Sequence, residues 1–309
     1  MSLNTSKLDL FYSSSSVKAE GEKWKKFPSC VLLNMAIENL SQIKNLKIYP
    51  DDIFLCGFPR SGTTLMQEMI WLIVNGFNYE KAKSELKDLR FPSLETIEIF
   101  KKIHVELSNF HIDTLQRPRT IKTHLPVQFL PDDYWKIYPK TIYISRDPRD
   151  VVMSTFNISK NIFKEKSSME EFLQNFLNDK IVFCPYREHC IDFWNIPEKD
   201  NILYLTYEWV NQNIAETILK VVKFLGKEIS EENLKLLKEH LKIENMRKND
   251  SCNRKELFKE LNVNSNPEDF IRKGKSGNYK DEMPEEFIEK FKIWMEEFKE
   301  MKSSFENKN

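Results

Sequence analysis

The chain has 309 residues, of which 40% are apolar, 30% charged and 12% aromatic; this excludes a disordered chain and allows one large core. Lysine plus arginine equals aspartate plus glutamate at 47 each, so no net field holds the protein on nucleic acid or an anionic membrane, and any polyanion site must be local. No run approaches the roughly 20 apolar residues that span a bilayer, and Met1 to Leu10 lack the basic patch and apolar run of a secretory signal. Together with five cysteines that form no C-x-x-C pair, this points to idle thiols in a reducing compartment, the cytoplasm.

Ser13 to Lys26 is rich in Ser, Lys and Glu, so residues 1–26 read as a mobile arm and 27–309 as a single domain. Short β-rich runs follow at Asp52–Gly57, Thr120–Thr123, Thr141–Ser145 and Asn201–Thr206, separated by segments of helical period. That alternation predicts an α/β fold with a central parallel sheet flanked by helices. The first and third runs are continuously apolar and belong at the centre, covered on both faces. The periodicity predicts helices over Thr64–Asn75, Arg149–Ser159, Met169–Asn178, Asn213–Leu225, Glu231–Leu241 and Glu285–Lys299. Lys248–Pro267 is polar, Asn-rich and aperiodic; it reads as a surface loop, with closure over a ligand as the other reading.

Gly57-Phe-Pro-Arg-Ser-Gly62-Thr63-Thr64 leaves a buried strand and enters a helix, the setting in which backbone N–H groups and a helix amino terminus converge on phosphate. It has the G-x-x-x-x-G frame of a nucleoside-triphosphate loop, but Thr63 stands where that motif has lysine, and the cation is Arg60 inside the loop. No acidic strand end of the magnesium-holding kind stands out, so metal-independent chemistry is expected. A small-molecule kinase is disfavoured by Thr63.

Phe58-Pro-Arg-Ser-Gly-Thr-Thr-Leu65 resembles the 5′-phosphosulfate loop of cytosolic sulfotransferases, Y-P-K-S-G-T-T-W. In the same order follow Lys122-Thr-His-Leu-Pro126, Arg146-Asp-Pro-Arg-Asp150 with Ser154, Leu203-Tyr-Leu-Thr-Tyr-Glu208, and Phe270-Ile-Arg-Lys-Gly274 with Gly277-Asn-Tyr-Lys280. Gln67-Glu-Met-Ile-Trp71 and Arg90-Phe-Pro-Ser-Leu-Glu95 are similar to the insect-type branch, which includes retinol dehydratase-like members. The resemblance spans about Pro50 to Phe291. It implies a single domain related to P-loop nucleotide kinases and transfer of a sulfuryl group from 3′-phosphoadenosine 5′-phosphosulfate (PAPS) to a hydroxyl of a small apolar acceptor, without metal, leaving adenosine 3′,5′-bisphosphate (PAP).

By the same resemblance Arg60 contacts the 5′-phosphosulfate and the bridging oxygen, and Ser61, Gly62, Thr63 and Thr64 cradle the 5′-phosphate. Arg146 and Ser154 hold the 3′-phosphate, Arg272, Lys273 and Gly274 complete that grip, and Tyr207 lies beside adenine. Leu65 replaces the adenine-packing tryptophan, while Leu241 and Ile243 stand where Thr and Phe are common, which implies weaker nucleotide binding. Phe27, Phe91, Leu94 and Phe156 are the expected acceptor pocket. Pro284 and Glu285 break the family's dimer segment beginning at Lys280, which leaves a homodimer open.

Sulfuryl transfer to an alcohol requires removal of the acceptor proton, and a neutral imidazole is the natural base. His124 follows a short strand at the edge where parallel sheets bind ligands; His104, His111, His189 and His240 lie in no motif and read as structural. Lys122 and Arg60 stabilise charge on the leaving oxygen. Two further readings stay open: a dehydratase that sulfates an allylic alcohol and then eliminates, and a non-catalytic binder of an adenosine bisphosphate or hydrophobic ligand.

Overall fold

The computed structural model describes residues 13–98, 101, 111–260, 266 and 270–296; His104 lies outside them. Six strands are described: β1 Ser14–Val17, β2 Cys30–Leu33, β3 Ile53–Cys56, β4 Thr120–Thr123, β5 Lys140–Ser145 and β6 Ile202–Thr206. The last four form one parallel sheet in the order β4-β3-β5-β6. The two continuously apolar runs, β3 and β5, are therefore interior, as the sequence predicts.

Their residues alternate between two cores because successive side chains leave a strand on opposite faces. Ile53, Leu55, Ile142 and Ile144 pack with Met66, Met69 and Ile70 of helix α1 (Thr63–Val74), and with Ile218 and Val221 further along the chain. Phe54, Cys56, Ile121 and Tyr143 face the other way, where Phe54 meets Tyr134 edge-on and Tyr143 stacks on Phe193 at 4.6 Å. Helix α2 (Pro148–Asn161) starts on Asp147, whose carboxylate accepts from the Arg149 N–H at 2.9 Å, with proline at the first helical position. The remaining helices used below are α3 (Met169–Leu177), α4 (Tyr186–Trp194), α5 (Tyr207–Gln212), α6 (Ile214–Leu225), α7 (Glu231–His240), α8 (Ile243–Lys248), α9 (Lys255–Glu260) and α10 (Glu285–Glu296). Pro284 and Glu285 lie at the start of α10.

Two expectations need correction. From Ser13 onward the arm is part of the folded body: β1 pairs antiparallel with β2, and Trp24 is buried against Trp135. The polar stretch from Lys248 is not a loose loop as far as Glu260. Ser251, Cys252 and Asn253 are buried, held by side-chain bonds to backbone: Ser251 Oγ donates to the Ala82 carbonyl at 2.6 Å and Asn253 Nδ2 to that of Arg247 at 2.8 Å. Leu257 and Phe258 of α9 form a third cluster with Ile158, Ile162 and Phe270. The five cysteines are buried and unpaired, and among the described residues no helix is long and apolar enough to cross a membrane.

Candidate active site

The residue that follows each sheet strand is a candidate functional residue: Gly57 after β3, His124 after β4, Arg146 after β5 and Tyr207 after β6. The site therefore lies at the carboxyl edge of the sheet, where open parallel sheets bind ligands. A cavity of about 710 Å³ opens there.

Two glycines of the phosphate loop are required by space. A Cβ on Gly57 would lie 2.5 Å from the Ile144 carbonyl oxygen, and one on Gly62, at φ +98°, would lie 2.4 Å from Tyr207 Cδ2. The loop thus presses against β5 and the start of α5, and its Ser61 N–H donates to the Phe58 carbonyl at 3.2 Å. Ser61 Oγ is buried in the loop with no hydrogen-bond partner among the described residues. Arg146 Nε and Ser276 Oγ are unpartnered in the same way. Arg146 stacks 4.4 Å over Tyr207 and donates from Nη1 to the Arg60 carbonyl (3.1 Å) and from Nη2 to the Lys275 carbonyl (3.0 Å). It ties the phosphate loop to the Lys273–Tyr279 segment. Asp150 holds that segment from below, accepting the N–H groups of Gly277 and Tyr279 at 2.6 and 3.1 Å.

Arg60, Gly62, Thr63, Thr64, Leu65, Arg146, Ser154, Tyr207, Arg272, Lys273 and Gly274 all line the cavity, as do Leu241 and Ile243. Arg272 and Lys273 both pair with Glu282, at 2.8 and 2.7 Å. Arg60 departs from its expected place. Its Nε donates to Ser154 Oγ at 3.0 Å and its Nη2 to the Phe270 carbonyl at 2.7 Å, so its guanidinium is drawn toward the residues expected at the 3′-phosphate. Burial, then Arg146, Arg254 and Arg272, lower its pKa to about 9.

Between β4 and the chain before it lies the second half of the site. Pro92 and Leu94 bond to Lys122 as an extra edge segment (2.8 and 3.0 Å), which positions Glu95 beneath β4. Its carboxylate accepts from Ser93 Oγ (2.6 Å), Thr123 Oγ1 (3.0 Å) and the His124 N–H (3.0 Å). His124 Nδ1 lies 2.5 Å from the Gly57 carbonyl. A carbonyl only accepts, so Nδ1 carries the proton and Nε2 keeps the lone pair. Burial first, then Lys122, hold the His124 pKa well below 6.5. The His124 carbonyl accepts from His189 Nε2 at 3.1 Å, and Tyr143 bonds the other ring nitrogen at 2.9 Å, so the buried His189 holds the His124 backbone. Lys122, buried beside Arg254 and Lys87, is depressed to about 7 by desolvation first and those two cations next.

The expected acceptor residues are elsewhere. Phe91 is fully buried in the core on the α1 side, Leu94 is buried in the other core, Phe27 packs on Trp24 and Phe156 on Phe172. The apolar wall instead carries Leu33, Met153, Phe172, Ile181, Val182 and Phe183. Ser93 and Glu95 of the Arg90–Glu95 run, and Thr96 just after it, line the cavity. Arg254 also lines it and was not anticipated.

This is a phosphate-loop enzyme site built for a nucleotide with anionic groups at two ends. A sulfotransferase-domain family model matches residues 50–305, and the chain belongs to the sulfotransferase family. Mouse sulfotransferase 1 family member D1 is 36% identical over 82% of this chain and 85% of that protein, and firefly (Photinus pyralis) luciferin sulfotransferase is 34% identical over 82% and 73%. A crystal structure of retinol dehydratase with androsterone and the inactive cofactor PAP superposes with a TM-score of 0.78 at 27% identity, covering 96% of this chain and 94% of that one. The chain is a PAPS-dependent sulfotransferase, and the unpartnered Nε of Arg146 on the cavity lining fits an anionic donor, whereas Ser61 and Ser276 do not line the cavity.

Proposed function

We propose that this enzyme sulfates a hydroxyl on a small apolar molecule (a phenol, sterol, retinoid or similar alcohol) in the cytoplasm, with His124 as general base. The observation that carries the reading is the His124 imidazole, fixed by the Gly57 carbonyl with Nε2 left as the basic nitrogen, in a cavity that joins the phosphate loop to an apolar wall. When bound, PAPS supplies a sulfuryl group whose bond to the phosphate oxygen breaks with its electron pair as a new S–O bond forms to the acceptor. His124 takes the acceptor proton. Ser61, Thr63, Thr64 and the loop N–H groups hold the 5′-phosphate, and Arg146, Ser154, Arg272 and Lys273 hold the 3′-phosphate. Lys122 offsets charge on the departing oxygen, as a cation should where the transition state is loose. A dimer through the Lys280 segment forms no part of this proposal.

Incubation with radiolabelled PAPS and a panel of phenols, sterols and retinoids tests the acceptor class; label in no extracted product would overturn it. The likeness to retinol dehydratase favours a second reading, sulfation followed by elimination, which an anhydro product from retinol would identify.

The pH profile is a separate test. With Lys122 depressed to about 7 in the donor-free protein, kcat/KM for PAPS is expected to fall about tenfold per unit above about pH 7 as the cation is lost. His124 contributes no acid limb until well below 6.5. Initial rates from about pH 5 to about pH 9 check both; a rising limb through pH 7 would instead assign a base that titrates there.

A further inference from the structure

The meeting point of donor and acceptor contains a cation that the family motifs do not account for. Arg254 stands just before α9 at φ 62°, a left-handed backbone that a residue with a side chain adopts only when its surroundings enforce it. Its side chain reaches back into the cavity. Nη2 donates to Asp88 Oδ1 at 3.1 Å, and the same oxygen takes Lys87 Nζ at 2.8 Å. One buried carboxylate thus serves two cations, and the group keeps net positive charge. Arg254 Nε is buried with no acceptor among the described residues.

Its position relative to Arg60 matters. The two guanidinium carbons lie 5.2 Å (Arg60) and 5.1 Å (Arg254) from the same Phe270 ring. Arg60 is committed to Ser154 and the Phe270 carbonyl, whereas Arg254 is anchored by Asp88, on the chain segment that leads into the Pro92–Lys122 pairing beside β4. The electrostatics agree: Arg254 lowers the proton affinity of Arg60, Lys122 and His124 alike. Arg254 lines the same cavity as the phosphate loop, Lys122 and His124, the cavity in which a sulfuryl group has to pass from donor to acceptor.

We propose that Arg254 is a further catalytic residue, its guanidinium holding the transferring sulfuryl group between the phosphate loop and His124, while Arg60 stays bonded to Ser154. Arg254 has the unused donor and the charge for this role, since guanidinium N–H groups pair strongly with anionic oxygens and cations at the transfer point stabilise charge that builds there. The proposal rests on the reading of His124 as the base that marks the acceptor end.

PAPS and PAP differ by the sulfuryl group alone, so their affinities for the full chain, measured by calorimetry without acceptor, isolate this contact. In Arg254→Gln the PAPS dissociation constant is expected to rise about tenfold, roughly the worth of one hydrogen bond to a charged group, while that of PAP stays within about twofold. PAP binding also reports that the variant is folded. Should Arg254→Gln not fold, Arg254→Met, which keeps an unbranched stem against Phe270, is measured in its place with the same expectation. An unchanged PAPS affinity, or equal losses for PAPS and PAP, overturns the proposal. The measurement requires no turnover, so it fails or succeeds separately from the role of His124, which the rate of a His124 variant decides.

Discussion

A His124→Ala variant is expected to lose about 10³-fold in kcat, within the range that positioned general bases supply, while binding PAP as the wild type does. The separation of effects follows from the geometry. The imidazole is held through Nδ1 by the Gly57 carbonyl and through its backbone by Glu95 and His189, and none of those bonds involves the cations that grip the nucleotide. Removing the ring takes away the proton acceptor and leaves the phosphate loop with its glycines, Ser61 and Arg146. Steady-state rates with labelled PAPS and calorimetry with PAP measure the two halves independently. Residual turnover within tenfold of wild type would exclude His124 as the base, and a matching loss of PAP affinity would assign the ring a structural role at the Gly57 turn. The alternative of a non-catalytic binder meets the same test from the other side, because such a protein has no rate for the substitution to remove.

How far the sequence could be read depended on the kind of signal. The sheet was legible because burial on both faces leaves continuous apolar runs, as at Ile53–Cys56 and Thr141–Ser145, and the candidate residues Gly57, His124, Arg146 and Tyr207 follow strand ends directly. The acceptor wall was not. Phe91 and Val182 are equally apolar, and only tertiary packing decides that one enters a core while the other lines the cavity. Hydrophobic pattern likewise gave no sign of Ser251–Asn253, which are buried by side-chain bonds to backbone. Glu95 was within reach, since a lone acid closing the run Phe91-Pro-Ser-Leu demands a buried partner. Arg254 could not be singled out, because its place on the cavity wall depends on Asp88, 166 residues earlier in the chain.

Arg146→Ala is expected to raise the PAP dissociation constant by about 10²-fold or more, the loss corresponding to two charge-assisted hydrogen bonds of roughly 1.5–3 kcal/mol each. Two effects combine. In the proposed donor pose the guanidinium supplies charge at the 3′-phosphate end, and it also joins the Arg60 carbonyl in the phosphate loop to the Lys275 carbonyl in the basic glycine segment. Alanine therefore removes a ligand contact and releases the strap that brings the two clamps to one nucleotide. Arg146→Lys separates these contributions, because an ammonium keeps the charge but cannot reproduce the planar fork that meets both carbonyls while stacked on Tyr207. If the strap matters, lysine recovers only a small part of the affinity and the salt dependence of binding stays close to that of wild type. Full recovery by lysine would reduce Arg146 to a point charge. Unchanged PAP affinity in the alanine variant would remove the 3′-phosphate from this end of the cavity and, with it, the two-ended grip on which the donor assignment to these residues rests.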